Sequence, residues 1–520
     1  MIKNKKIDWF WAHRRNSSLN HLSFIMHGLN GRGWSPVVNF YFNNQIVIGV
    51  PDKGCYIFYD KNQLKSGKKF KDIQKSIDNN LNFPKDFNQR TNELFGALFF
   101  KCIEIDTANL KLLTDKELFK LYKEFIDAML IAPIITVQLW GIEACFDENY
   151  KIIKFLEKRL VDLGKAKDFQ YYKEMLSVNI GETVAFAEQK NFYQVASAID
   201  KPVIRKVFKG KSLKTITKNL KKYKKENELI EKHIKKYEWV NSEYVSGAWK
   251  KEKWVELFKK AFILDKRPQE NLEELLDNFN NLNNKKKEII KELKPTKDVL
   301  HAIRSLEELI AQRDWAKGYL TKSLISYHKL IDEIARRTKL TREDLFNFSY
   351  TEIIDYFKGN KKLEKKEPEN RKKNGFALII KNGKLSMVSG ERNIQKVIRE
   401  EKISDPFEKI VSKSFFKGLS ASRGVTSGKV RVLEDSSKIP EFKDGEIIVT
   451  YMTTMEFTPI FRKAKAVVTD EGGMSCHAAI ISREFKIPCI VGSKVATRVL
   501  KTGDLVEVDA NNGIIKILNK

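Results

Sequence analysis

The stretch Thr469–Gly492, TDEGGMSCHAAIISREFKIPCIVG, decides how the C-terminal part of this chain folds. Ala466–Thr469, at its upstream edge, is short, apolar and β-branched, the pattern of a buried strand. Gly472 and Gly473 break that strand, because glycine takes positive φ or lets another group approach the backbone. Ser475 fits the N-cap of a following helix, and Ala478, Ala479, Ile480 and Ile481 supply its apolar face. Pro488 ends that helix, and Cys489–Val491 resume a strand. His477 therefore falls in the first helical turn of a strand–loop–helix unit.

That placement has chemical consequences. The positive end of a helix disfavours a proton on imidazole and keeps the ring neutral and nucleophilic. The same helix start, with free backbone N–H groups behind a glycine loop, binds anions such as phosphate. A neutral imidazole facing an anion site suits a histidine that accepts a phosphoryl group, since the covalent product is an anion that the site stabilises. Taken singly, each feature has a duller explanation. A histidine near a helix start is usually a cap or a surface residue, and a glycine pair is a turn signal. Cys476 and His477 point apart on a helix, and Cys489 sits in a strand, so no metal-ligand spacing is present. The combination, in this order, favours the phosphoryl-accepting histidine.

The stretch GGMSCHAAIISREFKIPCIVG closely resembles the phosphohistidine motif of the mobile domain in the phosphoenolpyruvate-utilising enzymes. That group includes phosphoenolpyruvate synthase, pyruvate phosphate dikinase and rifampicin phosphotransferase. The resemblance extends to GLSASRGVTSGKVRVL from Gly418, DGEIIVTYMTT from Asp444 and ATRVLKTGDLVEVDANNGIIKIL from Ala496. It implies that His477 is the phosphorylated residue and that the domain swings to carry the phosphoryl group. Gly472, Gly473, Ser475, Cys476 and Arg483 become the phosphate-binding set. For Arg483 a surface ion pair is an equal alternative. Ser475 stands where the best-known members have threonine, and its hydroxyl can still cap or hydrogen-bond. A weaker resemblance to the helical segment before the mobile domain in rifampicin phosphotransferase starts at YEWVNSEYVSGAWKKEKW, from Tyr237.

The rest of the 520-residue chain sets the context. A hydrophobic content of 42% allows packed cores, and 31% charged residues is ordinary for a soluble protein. The net charge of +29 raises the question of a nucleic-acid partner. The lysines, however, lie scattered among acidic neighbours, with no RNA-binding aromatic motif or zinc finger. Solvated helix faces are the favoured reading, and nucleic acid is disfavoured. Five widely spaced cysteines argue against a disulfide framework and fit the cytoplasm. The start MIKNKKIDWFW lacks the apolar core of a signal peptide. AMLIAPIITVQLWGI, from Ala128, is too short for a membrane span and reads as a buried helix interrupted at Pro133.

The expected fold is multidomain α+β: a mainly helical N-terminal region with small β elements, then a swivelling β/β/α phosphohistidine domain. Residues 1–110 form a mixed region, with strands in VVNFYFNNQIVIGV and GCYIFYD. Residues 111–365 form a helical domain for acceptor or partner binding. TKDVLHAIRSLEELIAQRDWAKGYLTKSLISYHKLIDEIARR gives one long helix or a joined pair, and LTREDL and SYTEIIDYF open with capping-box patterns. Residues 366–405 hold the end of a charged linker, KGNKKLEKKEPENRKK, and a hairpin turning at Asn382–Gly383. Residues 406–520 form the swivelling domain. No glycine-rich phosphate loop or ATP-grasp pattern is seen in residues 1–365, and no phosphoenolpyruvate-binding barrel is expected after Lys520. The chain is thus expected to bind no cofactor or metal of its own. Magnesium with ATP, or phosphoenolpyruvate, would sit on a partner, foremost an ATP-grasp subunit as in split relatives such as phenylphosphate synthase. The function expected is a phosphotransferase component, related to pyruvate water dikinase and rifampicin phosphotransferase, that carries a phosphoryl group on His477 to a small-molecule or protein acceptor. The alternative is a non-catalytic phosphocarrier or regulatory adaptor that binds a protein partner.

Overall fold

A computed structural model describes residues 9–15, 19, 23, 44–50, 54–60, 83–131, 151–177, 181–210, 212–240, 248–263, 267–403, 414–433, 436–453, 457–473 and 476–519. The chain is multidomain α+β and divides into two compact units, one of Met1–Phe155, Gly181–Asp277 and Pro295–Asp405, the other of Leu156–Ile180, Asn278–Lys294 and Pro406–Lys520.

The first unit holds a five-stranded antiparallel sheet in the order β1-β3-β2-β4-β5. Its strands are β1 (Trp9–Arg15), β2 (Gln45–Val50), β3 (Gly54–Asp60), β4 (Phe376–Lys381) and β5 (Lys384–Ser389). Side chains alternate between its faces. Ile46, Ile48, Tyr56, Phe58 and Ala377 pack against Ile394, Val397 and Ile398 of the helix Glu391–Glu401. Val47, Ile57, Tyr59, Leu378 and Ile380 turn the other way, into a core shared with the helices Phe83–Thr107, Asp115–Met129 and Lys297–Thr338. Burial on both faces explains why β2 and β4 read as nearly continuous apolar runs. The sheet pairs Gln45–Gly49 with Phe376–Ile380, so the segments set out above as 1–110 and 366–405 share one sheet.

Several expected elements are present. Lys297–Thr338 is a single helix of 42 residues. Thr341 with Asp344, and Ser349 with Glu352, form capping boxes. The β4–β5 turn has Asn382 and Gly383 at φ 47° and 72°, the pair of positive angles a two-residue hairpin loop requires. The charged linker is corrected in part: Lys366–Asn374 is a helix in which Arg371 is buried and paired with Glu352 at 2.8 Å. That ion pair draws into the core a stretch whose composition suggested solvent. VVNFYFN and the interruption at Pro133 lie outside the described residues. Among the described residues no helix is long and apolar enough to cross a membrane.

In the second unit, residues from Phe415 onward form an eight-stranded mixed sheet in the order β6-β13-β12-β8-β9-β10-β11-β7. The strands are β6 (Phe415–Lys417), β7 (Leu419–Ser422), β8 (Val425–Leu433), β9 (Ile447–Thr450), β10 (Ala466–Thr469), β11 (Cys489–Val491), β12 (Leu505–Asp509) and β13 (Ile514–Asn519). β8 to β11 run parallel, and the outer pairs are antiparallel. β9, β10 and β11 are buried at every position, as the central strands of a covered parallel sheet must be. The crossovers carry two short helices, Thr458–Phe461 after β9 and His477–Glu484 after β10. One layer of core, including Ile448, Val467, Ala478, Ala479, Ile481 and Cys489, lies under these helices. A second, including Val430, Val449, Val468, Val506 and Ile515, lies on the opposite face.

Candidate functional site: a histidine between two threonines

The site forms where β9 and β10 end. In open parallel sheets the loops after adjacent strands converge at the carboxyl ends, which is where such sheets bind ligands. Backbone bonds continue past the strand ends and fix those loops. Asp470 N–H donates to the Thr450 carbonyl at 3.1 Å, and Glu471 N–H to the Tyr451 carbonyl at 2.9 Å. The buried Asp470 carboxylate accepts from Ser493 Oγ at 3.2 Å and from the Thr497 N–H at 3.0 Å, and the Thr497 hydroxyl bonds to it as well. A loop tied this way holds its shape before any ligand arrives.

His477 is the first residue of its helix. Cys476, not Ser475, occupies the N-cap, with extended φ −75° and ψ 162°, and its carbonyl accepts the first helical bond from Ile480 N–H at 3.0 Å. The expected cap is therefore corrected by one residue: the chain is still extended at Cys476 and turns helical only at His477. Ser475 itself lies outside the described residues. The His477 ring is held at both nitrogens. Thr453 Oγ1 stands 3.0 Å from Nδ1, and Thr458 Oγ1 stands 3.3 Å from Nε2. The buried Phe461 ring meets the imidazole edge-on, with centroids 5.9 Å apart. Thr453 is buried at 5% exposure, whereas Thr458 is half-buried.

The two glycines differ. Gly472 has φ +129°, and a Cβ there would lie 2.7 Å from Cys476 Sγ. Glycine is required at that position by backbone conformation and by close approach. No described residue lies within 4 Å of where a Cβ on Gly473 would stand. Cys476 is pushed above the ordinary thiol range by burial, as is Cys489, to about 12. Neither is poised as a thiolate. Arg483 lies in the last turn of the helix, about 9 Å along the axis from His477. Its Nη1 donates to the Ala421 carbonyl of β7 at 3.1 Å.

Of the residues expected from sequence, the structure brings Gly472, Gly473, Cys476 and His477 together at one loop–helix junction, and Arg483 to the far end of the helix. Thr453, Thr458 and Phe461 were not foreseen as site residues. They sit in VTYMTTMEFTPIF, directly after β9, and the available signal was a cluster of hydroxyls at the carboxyl end of a predicted strand. Among the described residues no group of three or more His, Cys, Asp or Glu is placed to hold a metal ion.

Residues 442–513 match the family described as PEP-utilising enzyme, mobile domain. A probable phosphoenolpyruvate synthase of Archaeoglobus fulgidus is 46% identical over 138 residues, covering 26% of this chain and 18% of that protein. The phosphoenolpyruvate synthase of Pyrococcus furiosus is 45% identical over 119 residues, covering 23% of this chain and 15% of that protein. The uncharacterised phosphotransferase YvkC of Bacillus subtilis is 34% identical over 137 residues, covering 26% of this chain and 16% of that protein. In each case the match spans less than a fifth of the relative's length.

Proposed function

We propose, on the premise that residues 442–513 match the mobile domain of the PEP-utilising enzymes, that this chain is a phosphotransferase component that carries a phosphoryl group on His477. The observation that supports this most directly is the His477 ring itself, held by hydroxyls at 3.0 and 3.3 Å at the start of a helix. A fixed ring and a helix start are what a nucleophilic imidazole needs, and the fixed loop lowers the cost of reorganisation at transfer. Gly472 supplies the turn that places the helix, and the phosphoryl donor approaches beside Gly473, where no described residue would meet a Cβ. Cys476 shapes the turn and does not act as nucleophile.

The donor in this reading is ATP with magnesium, or phosphoenolpyruvate, held on a separate protein, foremost an ATP-grasp subunit. The acceptor is a small molecule or protein received by the helical body of the chain. The reaction runs in the cytoplasm, where both donors are made. The test is direct. Full-length chain is incubated with radiolabelled ATP and magnesium, or radiolabelled phosphoenolpyruvate, with and without an extract of its source cells. An acid-labile, base-stable label that needs the extract and vanishes in His477→Ala is the expected result. A label that persists in that variant overturns the assignment of His477, and one acquired without extract overturns the separate donor subunit.

A further inference from the structure

His477 is flanked by two hydroxyls that differ in what they can do. We propose that Thr453 is a positioning residue that holds the proton on Nδ1, and that the Thr458 hydroxyl is a movable donor that passes from Nε2 to a phosphoryl oxygen when the ring is phosphorylated. The proposal rests on the phosphohistidine reading above and assigns roles within the same site.

A neutral imidazole ring has one N–H and one lone pair, whereas a threonine hydroxyl can donate or accept. Two hydroxyls, one at each nitrogen, therefore satisfy either tautomer, and burial decides between them. Thr453 is 5% exposed and its bond is the shorter, at 3.0 Å. A phosphorus atom approaching Nδ1 would have to take the place of this buried hydroxyl. Thr458 is half-buried and its bond is longer, at 3.3 Å. Thr458 is also the first residue of its short helix, followed by Pro459, so its backbone is set while its hydroxyl rotates. A nucleophile needs its lone pair on the accessible nitrogen, which puts the proton on Nδ1, donated to Thr453 Oγ1. Phe461, edge-on to the ring, limits rotation away from that pose.

The transfer then balances without a base. The Nε2 lone pair forms the bond to phosphorus, and the phosphorus–oxygen bond to the donor's leaving group breaks, its electron pair departing with that oxygen. The Nδ1 proton stays, so the ring becomes cationic beside an anionic phosphoryl group. The Thr458 hydroxyl loses its acceptor at the moment Nε2 is consumed. The nearest new acceptors are the phosphoryl oxygens, and a hydrogen bond to an anion is stronger than the one given up.

The test uses the full chain with 15N-labelled histidine. His477 is assigned among the seven histidines by its loss in His477→Gln. Proton–nitrogen correlation spectra should show the Nδ1–H tautomer at His477 in the native chain. Thr453→Val should mix the tautomers, and Thr453→Ser should restore the native one. Thr458→Val should leave the tautomer unchanged. The chain is then phosphorylated chemically with phosphoramidate, and the phosphate on His477 is followed by mass spectrometry. Thr458→Val should shorten the lifetime of that phosphate about tenfold, which is what loss of one charge-assisted hydrogen bond supplies, and Thr458→Ser should recover it. An Nε2–H tautomer in the native chain, or one unmoved in Thr453→Val, overturns the role of Thr453. An unchanged lifetime in Thr458→Val overturns the role of Thr458. If phosphoramidate leaves His477 unlabelled in the native chain, the phosphohistidine reading fails and Thr458's role with it, while the tautomer spectra still decide Thr453.

Discussion

Gly472→Ala and Gly473→Ala change adjacent residues by one methyl group and should behave very differently. At Gly472 the backbone sits at φ +129°, where an L-residue is strained by about 1–3 kcal/mol. The new Cβ would also lie 2.7 Å from Cys476 Sγ and 3.3 Å from Cys476 Cβ. Moving that side chain in a packed turn adds about 1–3 kcal/mol, for a total of roughly 2–6 kcal/mol. At Gly473 the methyl group meets no described residue within 4 Å, so Gly473→Ala should be neutral in structure. A chain with two compact units does not unfold in one step, so the loss has to be read locally. Hydrogen exchange of peptides spanning residues 466–492 provides that reading. Even the lower bound of about 2 kcal/mol makes opening roughly thirtyfold more frequent. We expect such acceleration in Gly472→Ala, with the ladder bonds of Asp470 and Glu471 among the first to open, and native-like exchange in Gly473→Ala. Equal protection in the two variants would refute the division of roles between the glycines.

Two further outcomes follow from the packing. Burial pushes the Glu352 carboxyl up, but Arg371, the Ser349 backbone N–H and Lys361 more than offset it and hold the group below the ordinary glutamate range. Its contribution is therefore complete above the unfolded value and is lost as pH falls through the folded one; Arg371→Ala should lower the stability of the first unit by about 3 kcal/mol near neutrality and flatten its fall below pH 4.5, as followed by thermal melts. Cys476→Ser should leave phosphoramidate labelling of His477 within about twofold of native, because a thiol pushed up by burial is not a nucleophile at neutral pH; a large loss would mean that the sulfur takes part in the chemistry.

The elements of the strand–loop–helix unit around His477 were legible because each is set by local rules. β10 at Ala466–Thr469 and β11 at Cys489–Val491 appear at the residues where β-branched runs are cut by glycine and proline. The Asn382–Gly383 turn and the boxes at Thr341 and Ser349 were equally local. Readings failed where tertiary structure overrides local preference. Serine is a better N-cap than cysteine, yet the helix starts one residue later than that preference predicts. Lys366–Asn374 carries enough charge to look like a linker, and only the buried Glu352 partner, beyond the reach of any local pattern, makes it a packed helix. Likewise, nothing in β2 indicates that its neighbour in the sheet is β4, more than three hundred residues further along the chain.

The same limit explains why the histidine was found and its two partners were not. His477 lies inside the motif that names it, whereas Thr453 and Thr458 precede it by 24 and 19 residues. They reach it because β9 and β10 are parallel neighbours, registered Ile447 to Ala466 through Thr450 to Thr469, which brings the loops after both strands to one edge. A right-handed crossover between adjacent parallel strands leaves little freedom in that placement. A strand ending in Thr450, followed by hydroxyl residues and a short Thr-Pro helix, therefore carries functional information of its own once the pairing of β9 with β10 is assumed. In the proposed transfer the phosphoryl group enters beside the glycine pair, and the threonines, supplied by the neighbouring crossover, select the nitrogen that meets it.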